Sequence, residues 1–408
     1  MSKIEVKDLN LIFGARRKQA LELVQKGVSK DEVLEKTKCT VAVKDATFSI
    51  EQGEIFVVMG LSGSGKSSLI RCFNRLNNPT SGSILVDGKD VLKMSDDDLR
   101  QLRRTEMSMV FQHFGLLPHR SVVANTAFGL EIQGVPEEES YVKANEMLKT
   151  VGLEGYEEMM TGQLSGGMQQ RVGLARALTT NPEILLMDEA FSALDPLIRT
   201  NMQDELIQLQ EKLKKTIVFI THDLDEALKL GDRIAILKDG EIVQIGTPEE
   251  ILVNPADDYV RAFVENVDRS MIVTASSLMF KDSGKLTIEK DGPAIALRRM
   301  REMGVNRLPV VNKSNKYLGF VMDHDVVKLK KEGGKDLNEI LLSDVMPTVS
   351  PDTHAADLLP LFIDQQLPLP VVDDEGRLLG VAVHSSVIAE VTGRDKDEII
   401  EIQKSGGN

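Results

Sequence analysis

The chain has 408 residues, a formal charge of −14, 42% apolar residues, 4% aromatic residues and no tryptophan. That length accommodates two or three globular domains, while the acidic balance and the shortage of rings exclude general nucleic-acid binding through phosphate neutralisation and base stacking. No apolar run approaches the roughly 18–20 residues of a bilayer-spanning helix. MSKIEVKDLN carries no apolar signal core, and Cys39 and Cys72 build no disulfide framework, so the sequence reads as cytoplasmic with reduced thiols.

To about residue 265, strand-like and helical segments alternate, the pattern of an α/β domain whose parallel sheet is covered by helices. LNLIFG ends a first strand at Phe13, and a second begins near Val41. Between them, Ala20, Leu21, Leu23, Val24, Val33 and Leu34 mark short amphipathic helices, and Ser29-Lys30-Asp31-Glu32 reads as a helix start. Glu54 to Met59, Ile184 to Met187 and Thr216 to Ile220 are short apolar runs predicted as strands buried on both faces. Arg233 to Leu237 and Glu241 to Ile245 flank Lys238-Asp239-Gly240, a hairpin closed by an Asp-Gly turn.

The run ending at Met59 feeds GLSGSGKSS, Gly60 to Ser68, which fits G-x-x-x-x-G-K-[ST]; a helix is predicted from Ser68 to Leu76. Glycines let backbone N–H groups point at phosphate oxygens, and the helix N-terminus adds its positive end. The nucleotide-binding set is Gly60, Ser62, Gly63, Ser64, Gly65, Lys66, Ser67 and Ser68. Lys66 should neutralise the β- and γ-phosphates of a nucleotide, and Ser67 should place its hydroxyl on Mg²⁺. ILLMDEA, Ile184 to Ala190, puts Asp188 and Glu189 at the C-terminal edge of its strand, where open α/β sheets bind ligands. Asp188 can hold Mg²⁺ through water, and Glu189 can orient the attacking water. A second glycine-rich loop, LSGGMQQR at Leu164 to Arg171, could cradle a phosphate by itself.

Composition changes after Asn266. LPVVNKSNKYLG (Leu308 to Gly319) matches LPVVDDEGRLLG (Leu369 to Gly380) at an offset of 61 residues, which predicts two copies of a βαβ-type unit. Residues 298–336 hold ten basic residues (Arg298, Arg299, Arg301, Arg307, Lys313, Lys316, Lys328, Lys330, Lys331, Lys335) against five acids. This run is either a solvated face or a docking surface for an anionic membrane.

Taken in order, GLSGSGKS, Gln112, LSGGMQQR, ILLMDEA, Ser192-Ala193-Leu194-Asp195 and ITHD with His222 resemble the ATP-binding-cassette (ABC) ATPase family over about Ile4 to Val264. The resemblance implies a domain over 1–266 with a mixed-sheet core, an antiparallel β subdomain, a helical subdomain at about 114–160 and an insertion at about 15–40. It also gives the second loop a purpose. Cassettes of this family pair head to tail, so Ser165, Gly166 and Gly167 would donate to the γ-phosphate of ATP held by a second copy. By the same resemblance Gln112 senses Mg²⁺ and the water, Asp195 lies at the dimer seam, and His222 contacts the γ-phosphate. Phe13 is the match for the adenine-stacking aromatic, with the insertion able to displace it.

The insertion, VAVKDATFSI with the text through NNPTSG, and FQHFGLLPHRSVVANTAFGLEIQG (Phe111 to Gly134) resemble the glycine betaine/proline (quaternary amine) uptake branch. That implies the peripheral ATPase subunit of an importer on the cytoplasmic membrane face, working with permease subunits that carry a solute-binding domain. The tail resembles a tandem pair of CBS domains, 271–330 and 340–400, before a short tail at 401–408. The ribose-binding pattern of such pairs has Ser or Thr three residues after the glycine and Asp six after it; here stand Met322 with Asp325, and Val383 with Ser386. Neither copy completes it, which argues against ordinary AMP or ATP and leaves a nucleotide shared between copies, such as a cyclic dinucleotide, or no ligand. Alternatives are an ABC importer of another solute, a non-transport ABC protein, or a CBS regulator with a degenerate ATPase. DNA-repair members insert a coiled coil absent here, translation members carry two cassettes, and Lys66, Asp188 and Glu189 oppose degeneracy.

Overall fold

The computed structural model describes residues 2–112, 115–192, 194–265, 269–271, 273–343, 346–362 and 367–392. The chain divides into two compact units, Met1–Val264 and Glu265–Asn408.

The first unit opens with strand β1 (Ser2–Phe13), helices α1 (Arg17–Gln25) and α2 (Lys30–Thr37), and strand β2 (Thr40–Glu51), which returns antiparallel to β1. Ser29 caps α2 by accepting the Glu32 N–H at 3.4 Å. Ala20, Val24 and Val33 bury a small core against Ile12, Cys39 and Val41, so the insertion is a helical hairpin folded onto the strands that flank it. Strand β3 (Ile55–Met59) runs into helix α3 (Lys66–Phe73). That helix starts two residues before the predicted Ser68, because Gly65 at φ 105° already turns the chain into it; it ends three before Leu76, and Arg75 follows at φ 54°. Strands β4 (Ser81–Val86) and β5 (Lys89–Asp90) complete an antiparallel sheet in the order β2-β1-β4-β5.

Helix α4 (Asp96–Gln101) precedes strand β6 (Met107–Val110). Helices α5 (Val122–Gln133), α6 (Glu137–Thr150) and α7 (Gly166–Thr179) pack around Val123, Ala127, Leu148, Val172 and Ala175. Beyond them come β7 (Ile184–Asp188), α8 (Pro196–Leu213), β8 (Thr216–Thr221), α9 (Leu224–Leu230), β9 (Arg233–Lys238) and β10 (Glu241–Gly246). The main sheet runs β10-β9-β3-β8-β7-β6, every neighbouring pair parallel except the β9–β10 hairpin. All residues of β3, β7 and β8 are buried, as strands covered on both faces require. Phe48 stacks on Phe56 at 5.2 Å in the core that joins the two sheets. Helices α10 (Pro248–Val253) and α11 (Asp258–Val264) close the unit.

The second unit contains α12 (Ala275–Leu278), β11 (Leu286–Thr287), α13 (Pro293–Met303), β12 (Arg307–Val311), β13 (Tyr317–Met322) and α14 (Asp323–Lys331). It continues with α15 (Ala355–Leu358), β14 (Leu369–Val372), β15 (Leu378–Ala382) and α16 (His384–Thr392). The repeat is exact in register: Val310 faces Gly319 as Val371 faces Gly380, and each hairpin shifts register at the following residue. The first copy is a βαβ unit, β11 lying parallel to β12 across α13. The second copy departs from that expectation, its parallel pairing among the described residues being the bridge Val349–Val371. Val273, Ala275 and Leu278, placed in the first copy on sequence, pack with Leu358, Leu369 and Val387 of the second, where the Ala275 N–H bonds Thr353 O. No helix among the described residues is long and apolar enough to cross a membrane.

Candidate active site

Strand β3 delivers the chain to a loop whose glycines are dictated by sterics. A Cβ at Gly60 would stand 2.2 Å from Leu237 O, and one at Gly65 would stand 2.1 Å from Ala42 O. The β9–β10 turn clamps the loop from outside: the Gly240 N–H donates to Ser64 O, and the Lys44 N–H donates to Gly240 O, both at 2.8 Å. Lys66, 5% exposed, reaches back to donate to Gly60 O at 2.8 Å and Leu61 O at 3.1 Å. Burial pushes its ammonium below the usual lysine range, and the nearby Glu189 and Asp188 carboxylates oppose that. Ser64 Oγ is buried with no hydrogen-bond partner among the described residues, while Ser62 and Gly63 are exposed and Ser68 half-buried. A triphosphate supplies the acceptors that such a loop leaves wanting.

Asp188 ends β7, buried to 2% exposure; it accepts Ser67 Oγ at 2.7 Å and Arg71 Nη2 at 3.0 Å. Arg71 was not singled out on sequence, although its place one helical turn beyond Ser67 puts both on one face of α3. The Ser67 hydroxyl and Asp188 carboxylate are hard oxygen donors of the type Mg²⁺ takes, with phosphates and waters completing its shell. The described residues hold no cluster of three or more His, Cys, Asp or Glu that could hold a metal ion.

Glu189 sits at φ 46°, unusual for a residue with a side chain, its N–H bonded to Ile220 O at 3.1 Å. Around its carboxylate converge Gln112 Nε2 at 3.1 Å, His222 Nδ1 at 3.6 Å and Lys66 Nζ at 3.9 Å. Four segments, following β7, β6, β8 and β3, thus bring a carboxylate, an amide, an imidazole and an ammonium together at the C-terminal ends of the strands.

Other predicted residues stand apart. Ser165 caps α7, accepting the Met168 N–H at 3.3 Å; it and Gly166 are exposed. No hydrogen bond or ion pair joins Ser165, Gly166 or Gly167 to the phosphate loop among the described residues. Asp195 caps α8 by accepting the Ile198 N–H at 3.1 Å, beside Leu197, which is 72% exposed. Ala193 lies outside the described residues. Phe13 ends β1 with its ring 40% exposed, and Gly14 packs directly against Cys39, so the inserted hairpin leaves Phe13 on its strand.

Fold and site together define a P-loop ATPase of the ATP-binding-cassette class. Residues 43–192 match the ABC transporter family, and 289–332 and 339–393 match the CBS domain. The chain belongs to the ABC transporter ATP-binding family, in the group that carries a CBS pair. It is 51% identical over 395 residues to the glycine betaine/carnitine transport ATP-binding protein GbuA of Listeria monocytogenes, covering 97% of this chain and 99% of that one. It is 48% identical over 382 residues to ProV of Escherichia coli, a glycine betaine/proline betaine transport ATP-binding protein, covering 93% and 95%. Among solved structures, the dimeric bacterial cassette MJ0796 aligns with a TM-score of 0.52 at 32% identity, over 60% of this chain and 98% of that one. The same cassette is known as a post-hydrolysis dimer bound to ADP and Pi, with the same TM-score, identity and coverage.

Proposed function

We propose that this chain is the ATP-hydrolysing subunit of an importer for glycine betaine/proline-type compatible solutes, acting at the cytoplasmic membrane face with permease subunits and a solute-binding domain. One observation carries the catalytic half: Glu189, on a strained backbone, faces Lys66, Gln112 and His222 beside the Ser67–Asp188 pair. The solute class rests on relatives matched over nearly their whole length.

In this reading the loop from Gly60 to Ser68 wraps the triphosphate, and Lys66 exchanges its loop carbonyls for phosphate oxygens. Ser67, Asp188 and Gln112 would hold Mg²⁺, which would neutralise charge on the β- and γ-phosphates. Glu189 accepts the proton of the attacking water, and His222 steadies the γ-phosphate. Ser165 and Gly166 are exposed and Gly167 half-buried; in this reading the three face ATP on a second copy, with Asp195 at the seam and Phe13 against adenine. The dimeric state of the MJ0796 cassette supports this pairing.

The nucleotide-binding domain spans 1–266, with the CBS pair beyond it as the regulatory part. Arg298 and Arg301 lie on α13, which packs against α14 with its exposed Lys328, Lys330 and Lys331. None of those three lysines has an ion-pair partner among the described residues. Such charge suits an anionic membrane surface whose attraction weakens as salt rises, and a cyclic dinucleotide shared between copies is the second regulatory candidate. The catalytic reading is tested with the full chain assembled with its membrane subunits in lipid vesicles. Glu189→Gln should bind ATP normally and lose about 10²–10⁴-fold in turnover; turnover at the wild-type rate would remove Glu189 from the mechanism.

A further inference from the structure

We infer that Arg199 is a positioning residue that ties the seam loop ahead of α8, which carries Leu194 and Asp195, to the loop of His222, so that closure at the seam sets where His222 stands. The inference rests on the roles proposed above for Asp195 and His222. Arg199 sits in the first turn of α8, four residues after the Asp195 cap. Its Nη2 donates to Leu194 O at 3.3 Å, inside the seam loop, and its Nη1 donates to Asp223 Oδ2 at 3.2 Å, beside the histidine. One planar guanidinium therefore bridges two loops that belong to different strands. A lysine, with a single ammonium on a flexible stem, cannot hold both acceptors in fixed geometry.

The far side of the bridge is pinned in turn. Asp223 Oδ1 accepts the Glu226 N–H at 3.2 Å, capping α9, and the Asp223 N–H donates to Thr221 Oγ1 at 2.9 Å. His222 lies between these two residues with its side chain 56% exposed, so its flanking backbone rather than its packing decides its position. Two further polar contacts join α8 to α9, Gln203 Nε2 to Glu226 Oε1 at 3.1 Å and Lys229 to Asp204 at 2.7 Å. Neither touches the seam loop. Helix formation does not explain the arginine either, since a cation in the first turn opposes the helix dipole. What the position offers is reach in two directions.

The test uses the full chain assembled with its membrane subunits in lipid vesicles, reading kcat, KM for ATP, ATP affinity and thermal midpoint. Arg199→Met should lower kcat by about 10- to 100-fold with KM for ATP unchanged, the signature of lost positioning rather than lost binding. Asp223→Asn should do the same, and the double variant should be no slower than either single one. Arg199→Lys should fall between wild type and Arg199→Met. Lys229→Met, which breaks an α8–α9 ion pair away from both loops, should leave kcat unchanged. An additive double variant, an effect on KM alone, an unchanged kcat in Arg199→Met, or an equal loss in Lys229→Met would each overturn the inference. Should Arg199→Met fail to fold, Arg199→Lys and Asp223→Asn carry the same comparison. His222→Ala separates the levels: no loss of turnover there removes the underlying role of His222, whereas a loss there with normal Arg199 variants sinks this inference alone.

Discussion

At the residue scale, the site depends on a few side chains in costly environments. A non-glycine residue at positive φ costs about 1–3 kcal/mol, and Glu189 occupies such a position where its carboxylate meets Lys66, Gln112 and His222. Lys66 is buried against loop carbonyls that a phosphate can replace. Cys72, in the helix that leaves this loop, shows what burial does to a group with no such role. Its Sγ lies 3.2 Å from Ser68 O as a donor, and desolvation pushes its thiol up to about 12. Thiolate is the reactive form, so Cys72 of the native chain should not react with a thiol reagent at pH 8; Cys39 is shielded by its burial, and both should react in denaturant. The native pKa of Cys72 exceeds its unfolded value, so its contribution to stability is complete below about pH 9 and is lost as pH rises toward about 12. Denaturant titrations across that interval check the sign, and rapid labelling of the folded chain at pH 8 would contradict it.

At the element scale, local signals and tertiary packing divide the work. The Asp-Gly turn of β9–β10 was legible from its two residues, but its clamp on the phosphate loop was not, because Gly240 meets Ser64 only when β9 lies beside β3. The inserted helices were legible from their apolar spacing and from Ser29. Their attachment to Ile12 and Val41 depends on the pairing of β1 with β2. Among the described residues the second repeat copy kept its hairpin but has one parallel bridge where the first copy has two parallel residue pairs, a difference that the matching text around Leu308 and Leu369 does not announce. Each basic residue near an anionic lipid surface contributes about 1 kcal/mol of attraction, screened over roughly 8–10 Å in physiological salt. If the three α14 lysines dock there, ATP hydrolysis in anionic-lipid vesicles should rise with salt, and replacing Lys328, Lys330 and Lys331 by glutamine should flatten that rise. A full salt response in the triple variant would leave α14 a solvated face.

At the scale of the whole molecule, the exposed Ser165 loop and the phosphate loop of one chain share no hydrogen bond or ion pair among the described residues, a separation that the proposed pairing with a second copy would resolve. Mixing subunits crippled at Lys66 (Lys66→Ala) with subunits crippled at Ser165 (Ser165→Arg) makes one doubly damaged pocket and one intact pocket per heterodimer. Turnover should return in the mixture although each variant alone is inactive; heterodimers that stay silent would rule out pockets shared between copies. By itself the sequence determined which chemistry is present: the phosphate loop, the acidic pair after β7, the second glycine-rich loop with Ser165 and the repeat are local patterns whose backbone demands show in residue type and spacing. The tertiary structure decided which groups meet. Arg71 on Asp188, Gly240 on Ser64, and Arg199 between Leu194 and Asp223 come together only because the sheet order places β3, β7, β8 and β9 side by side, and a contact across strands leaves no mark on the residues next to it in the chain.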